Sequence, residues 1–138
     1  MPGTAGRAST ASFNAPDSAA SRSAPSAVEL EAFFKIADHW NLSTEDQILL
    51  LGSPGRSTFF KWKKEAASLP ADTKERLSHL LGIWKSLHIL FTDDVLANEW
   101  VHRKNLYFDG ASALDIMLEG NVSSIYKVRQ YLDAQRGG

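Results

Sequence analysis

The residues best suited to chemistry form one cluster, Arg56-Ser57-Thr58-Phe59-Phe60-Lys61-Trp62-Lys63-Lys64, the only basic run in the chain with interleaved aromatics. On a helix entering a major groove, Arg56 and Ser57 would reach base edges, while Thr58, Lys61 and Lys64 would hold phosphates. Such binding weakens steeply with salt. The same pattern also fits an ordinary helix with Phe59 and Trp62 in the core and the lysines on a solvated face.

Other chemistries find little support. His39, His79, His88 and His102 show no His-Glu-x-x-His pattern and no carboxylates at ligand spacing, so no metal site is expected. His79 and His88 sit too far apart in helical phase to form one ligand pair. Asp93-Asp94 directly precedes an apolar helical run, which reads as an N-cap rather than an acid/base pair. Phosphate-cradling glycine loops, nucleophile elbows and Ser/His/Asp arrangements are missing, which argues against an enzyme and against a cofactor. The tail Asp133-Ala134-Gln135-Arg136-Gly137-Gly138 would leave a slim cationic end after the last helix, able to enter a cleft built for phosphates.

The positioning elements are all helical. Leu30, Phe33, Phe34 and Ala37 recur at helical spacing between Val28 and His39. A second helix starts at Ser43 or Thr44, where Thr44-Glu45-Asp46-Gln47 fits a capping box, carries Ile48, Leu49 and Leu51 and stops at Gly52. After the turn Ser53-Pro54-Gly55, a third helix from about Arg56 to Glu65 completes a helix-turn-helix. A long helix follows Leu69-Pro70 with Leu77, Leu80, Leu81, Trp84, Leu87 and Phe91 on one stripe. Thr92-Asp93 caps a helix with Val95, Leu96 and Trp100. Ser112 with Asp115 caps one with Leu114, Met117 and Leu118, and Asn121 or Ser123 starts the last, with Ile125, Val128 and Leu132. No segment alternates as a strand, and no motif repeats at a fixed period.

Composition bounds the rest. With 138 residues, 43% of them hydrophobic, the chain can bury one modest core. A formal net charge of -1 excludes a uniformly basic nucleic-acid coat, so any DNA contact must be local. The lack of cysteine removes disulfides, thiolate zinc sites and thiol nucleophiles. No apolar run is long enough to cross a bilayer, and we expect a cytoplasmic protein that does not engage membranes. Residues 1–27, rich in Ala, Ser, Gly and Pro with Phe13 as the lone large apolar side chain, are expected to form a disordered arm carrying Arg7 and Arg22. Residues 28–91 would form the helix-turn-helix domain and 92–138 a second small helical domain.

Trp100, Asn105, the Ser112-Ala113-Leu114-Asp115 helix start, Gly120 and the Val128-Arg129 to Tyr131-Leu132 run together resemble the Xre/MbcA/ParS toxin-binding domain. The upstream helix-turn-helix resembles the Xre-type N-terminal half of the same antitoxins, and the resemblance covers nearly everything after the arm. The family usually has proline where this chain has Ala113, and Gly-Arg-Ser where it has Gly110-Ala111-Ser112. The resemblance implies an all-α type II antitoxin that silences a RES-domain toxin, an enzyme that destroys NAD or transfers its ADP-ribose. It further implies a steric mechanism in which the C-terminal region covers the toxin's active-site cleft. Carried over by position, the toxin-facing elements would be the loop around Asn105 and Tyr107, the last helix with Arg129, and the tail at Arg136, Gly137 and Gly138. Buried anchors such as Tyr107, Met117 or Tyr131 would supply affinity. A homodimer would set two recognition helices on the operator of its own gene pair. Two other readings share these residues: a stand-alone transcription regulator whose C-terminal half dimerises, and an antitoxin that keeps the helix-turn-helix only as scaffold.

Overall fold

A computed structural model of the protein describes residues 20–65 and 68–137, with side chains from Ser26 onward. Among the described residues the chain is all-α: α1 (Ala20–His39), α2 (Thr44–Leu50), α3 (Arg56–Lys64), α4 (Ala71–Leu90), α5 (Asp94–Glu99), α6 (Ala113–Met117) and α7 (Val122–Gln135). Short 3-10 turns at Trp100–His102 and Leu106–Phe108 link α5 to α6, and an isolated bridge pairs Lys104 with Ser112.

The long helix α4 is the centre of the molecule, packed on α1 and on α7. Its Leu77, Leu80, Ile83 and Leu87 are buried completely, in one core with Phe33 and Ile36 of α1, Trp40 just after it, and Ile125, Val128 and Leu132 of α7. Ile83 was not on the expected stripe; Leu81 and Trp84 lie half-buried at its edges, and Phe91 caps the helix rather than extending it. Burial of so many large apolar side chains, each worth about 1.5–3 kcal/mol, is what holds the helices together.

Local signals set the helix starts. Of the two possible starts, Ser43 is the one that caps α2: its Oγ accepts the Asp46 amide at 3.0 Å. Gln47 is therefore no capping partner; it is buried and donates through Nε2 to the Leu42 carbonyl at 3.1 Å. Asp93 caps α5, accepting from Val95 N at 2.8 Å and Leu96 N at 3.3 Å. At α6, Ser112 and Asp115 form the reciprocal capping box expected from their spacing, with bonds of 3.0 and 3.2 Å.

Two expectations change. Helix α1 starts at Ala20 rather than Val28, so residues 20–27 belong to a helix and not to the arm. That stretch has no large apolar residue to reveal a period, although alanine is the best helix former. The rest of the arm, with Arg7 and Phe13, and the side chain of Arg22 lie outside the described residues. In α5, Val95 and Leu96 face solvent; the buried residues are Ala97 and, in the following turn, Val101.

Candidate functional site

The helix-turn-helix is built on the burial of Phe59 and Trp62, one helical turn apart on the inner face of α3. Their ring contacts reach α1, where Phe34 meets Phe59 edge-on with centroids 5.8 Å apart. This leaves Arg56, Ser57, Thr58, Lys61 and Lys64 all exposed, with Arg56, Ser57, Lys61 and Lys64 on the outer face and Thr58 at its margin beside Trp62. Lys63 points elsewhere: its ammonium sits 5.4 Å from the Phe34 ring and 5.8 Å from Phe59, a pair of cation–π contacts toward α1.

Arg56 is held rather than free. Its Nη1 donates to Glu45 Oε2 at 3.1 Å across the turn, and its guanidinium stands 5.6 Å from the Phe60 ring. The Glu45 carboxyl is held below its ordinary range, first by a bond from its own backbone amide and then by Arg56. Helix α3 has Gly55 at its N-cap with no side-chain bond, leaving first-turn amides unsatisfied beside Arg56 and Ser57.

A second surface lies on the C-terminal half. Asn105 is its organiser: the side chain accepts the Tyr107 amide at 2.9 Å, the carbonyl accepts Phe108 N and Gly110 N at 3.0 Å each, and the amide donates to Ala111 at 3.0 Å. Asp109 adopts a left-handed φ of 56° to close this loop. Phe108 plugs inward while its neighbours are driven out, leaving Leu106 93% and Tyr107 56% exposed. Tyr107 leans on Tyr131 of α7 at 4.4 Å between ring centroids, and Tyr131 stacks with Trp100 at 6.1 Å.

Tyr131 thus forms a partition between two clefts. One, of 270 Å³, is lined by Leu90, Phe91, Trp100, Tyr131, Leu132 and Gln135. The other, of 370 Å³, lies between Tyr107 and the α7 residues Lys127, Gln130, Tyr131, Ala134 and Gln135. A rigid apolar knob beside aromatic-walled hollows suits protein docking. Met117, expected as an anchor, is buried completely and reaches no partner. Leu106 replaces it as the exposed apolar group, and the Asn105 cap with the Asp109-Gly110 turn was the available signal.

Arg129 and Arg136 fall on the other side of α7. Arg129 lies across Gly82 of α4, where a Cβ would stand 2.7 Å from its guanidinium carbon. It donates to the Ser78 carbonyl and to His79 Nδ1, both at 3.3 Å, and faces Asp133 at 3.7 Å. Arg136 caps α7 and folds back to donate to Ser86 Oγ at 3.2 Å, with Asp133 Oδ1 at 3.9 Å. Gly137 follows with a φ of 85°, and Gly138 lies outside the described residues. The expected toxin-facing residues therefore form two groups, Asn105 with Tyr107 and Arg129 with Arg136 and Gly137, separated by the width of α7.

The histidines are in structural use. His102 Nε2 donates to the Trp40 carbonyl at 2.8 Å and His88 Nδ1 to that of Trp84 at 3.0 Å. His79 bridges Glu75 and Arg129, and His39 packs on Trp84. Among the described residues no group of His, Asp or Glu is placed to hold a metal ion, and no helix is long and apolar enough to cross a membrane.

Comparison with known proteins agrees with this division. Residues 19–82 match the antitoxin Xre-like helix-turn-helix domain, and residues 86–138 match the antitoxin Xre/MbcA/ParS C-terminal toxin-binding domain. The two matches meet within α4. An uncharacterized protein, y4oB, of Sinorhizobium fredii is 68% identical over 121 residues, which span 88% of this chain and 94% of that protein. With a helix-turn-helix in one matched region and a toxin-binding-domain match over the other, the chain belongs to the Xre/MbcA/ParS antitoxins of toxin–antitoxin systems.

Proposed function

We propose that this antitoxin neutralises a RES-domain, NAD-consuming toxin of a type II system by covering its active-site cleft, and that as a homodimer in the cytoplasm it represses its own operon through α3. The observation that carries the first part is the preorganised pair Leu106 and Tyr107 beside the Tyr131 clefts, within the residues that match a toxin-binding domain. A loop fixed by four bonds to Asn105 loses little entropy on docking. In this mechanism the antitoxin performs no reaction: Leu106 and Tyr107 anchor the complex, and the end of α7 with Arg136, Gly137 and Gly138 excludes NAD. Arg129 supports that end from below through Asp133. For the DNA, Lys61, Lys64 and Thr58 hold phosphates, and Arg56 exchanges Glu45 for a base edge or phosphate.

The test is coexpression with a RES-type protein sought beside the gene, reading cellular NAD. The full chain should preserve NAD, whereas a chain lacking Gln135 to Gly138 should release the toxin while still retarding the promoter fragment. Full protection by the truncated chain would remove the tail from the mechanism. Failure of the full chain to bind the neighbouring protein would sink the reading.

A further inference from the structure

Arg76 lies on α4, only 7% exposed, and its guanidinium joins parts of the chain that belong to different modules. Nε donates to Asp72 Oδ2 at 2.8 Å, one turn earlier on the same helix. Nη1 reaches the Leu49 carbonyl at 3.4 Å, at the end of α2, where that carbonyl also accepts the Gly52 amide at 3.2 Å. Nη2 donates to the Gly120 carbonyl at 2.9 Å, in the turn between α6 and α7. One planar fork therefore spans the end of α2 and the heart of the toxin-binding module, which the single-point ammonium of lysine cannot do.

The turn leading into α3 rests on this group. Gly52 has a φ of 99°, and a Cβ there would stand 2.8 Å from Asp72 Oδ2 and 3.2 Å from Arg76 Nε, so the backbone sits directly on the ion pair. Thr73 Oγ1 donates to the Leu51 carbonyl at 2.9 Å beside it. Helix α3 itself has no side-chain cap and packs on α1, so the polar path from its turn to the C-terminal module runs through Arg76. We propose that Arg76 is the positioning residue through which the α6–α7 turn of the toxin-binding module sets the geometry of the α2–α3 reading turn. Bracing or distorting one module is then felt by the other. The inference rests on the reading of α3 as the DNA-contacting helix.

Hydrogen exchange on the full chain, with binding to the promoter fragment, tests it. In R76M, the bonded amides of Leu51, Gly52 and Ser53 and those of Leu118, Glu119 and Gly120 should together lose about tenfold in protection, the loss of a charge-assisted bond, while those of Ile125 to Leu132 keep theirs. R76K retains the charge and should move the same amides less, which keeps the test available if R76M folds poorly. Promoter affinity should fall about tenfold with an unchanged salt slope, because no phosphate contact is removed. Gly120 has open space around an added Cβ and a φ of 96°, so G120A strains only its backbone. G120A should alter exchange at Leu51 to Ser53 in the wild-type background and not in R76M. An equal effect of G120A in both backgrounds overturns the proposal. If the wild-type chain does not bind the promoter fragment, the DNA-binding reading falls, and the exchange measurements still decide on Arg76.

Discussion

Replacing Leu106 separates docking from folding more sharply than any other change. The side chain is 93% exposed, so the fold gains almost nothing from it, and Leu106→Ala should alter stability by less than about 0.5 kcal/mol. If the toxin covers it, the full burial of a leucine is at stake, about 2 kcal/mol, or about thirtyfold in affinity. Leu106→Asp should exceed that by placing a carboxylate in an apolar contact. Phe108, two positions on in the same loop but only 3% exposed, gives the opposite contrast. Phe108→Ala should destabilise by about 3 kcal/mol or more, because it empties the space beneath Tyr107 and Tyr131. Calorimetric titration with the neighbouring toxin and thermal melting of the free antitoxin measure the two quantities independently. A lowered melting temperature in Leu106→Ala, or an unchanged toxin affinity, refutes the assignment of this loop as the anchor.

Lys61→Ala and Lys64→Ala should each weaken promoter binding at all sequences and lower the slope of log K against log salt by about 1, without moving the melting temperature. An unchanged slope would place both lysines off the DNA. The Glu45 carboxyl pKa is lowered in the folded chain, first by its own backbone amide and then by Arg56, so these contacts contribute stability above the ordinary carboxylate range that is lost as pH falls through the lowered value. Wild type and Glu45→Gln should therefore differ in urea unfolding near neutrality and converge in acid; a gap that widens in acid contradicts the pairing.

Most of the architecture was legible because its signals are local. Ser112 and Asp115 three residues apart, or Asp93 ahead of an apolar run, dictate caps whatever the rest of the chain does. The burial of Phe59 and Trp62 follows equally from helical phase once the turn at Gly52 to Gly55 is recognised. What was not legible is decided by tertiary packing. Helix α5 has six residues, too few for a period to choose a face, and the core selected Ala97 over the larger Val95 and Leu96. Met117 and Leu106 are both apolar residues near loops; only the closure of the Asn105 loop decides that the first is sealed and the second displayed.

The same distinction holds for the arginines, whose partners sequence position alone does not give. Arg76 and Asp72 are visible in the sequence as a pair four apart, of the kind that adds a few tenths of a kcal/mol on an exposed helix. Burial changes its meaning: enclosed beneath Gly52, the guanidinium must find acceptors, and it takes backbone carbonyls 27 and 44 residues away. Arg129 and Arg136 likewise spend donors on α4, at Ser78 and Ser86. Arg76, Arg129 and Arg136 thus tie α7 and the turn after α2 to α4. The two family modules meet inside that helix, and a helix shared in this way cannot tilt toward one module without moving the other.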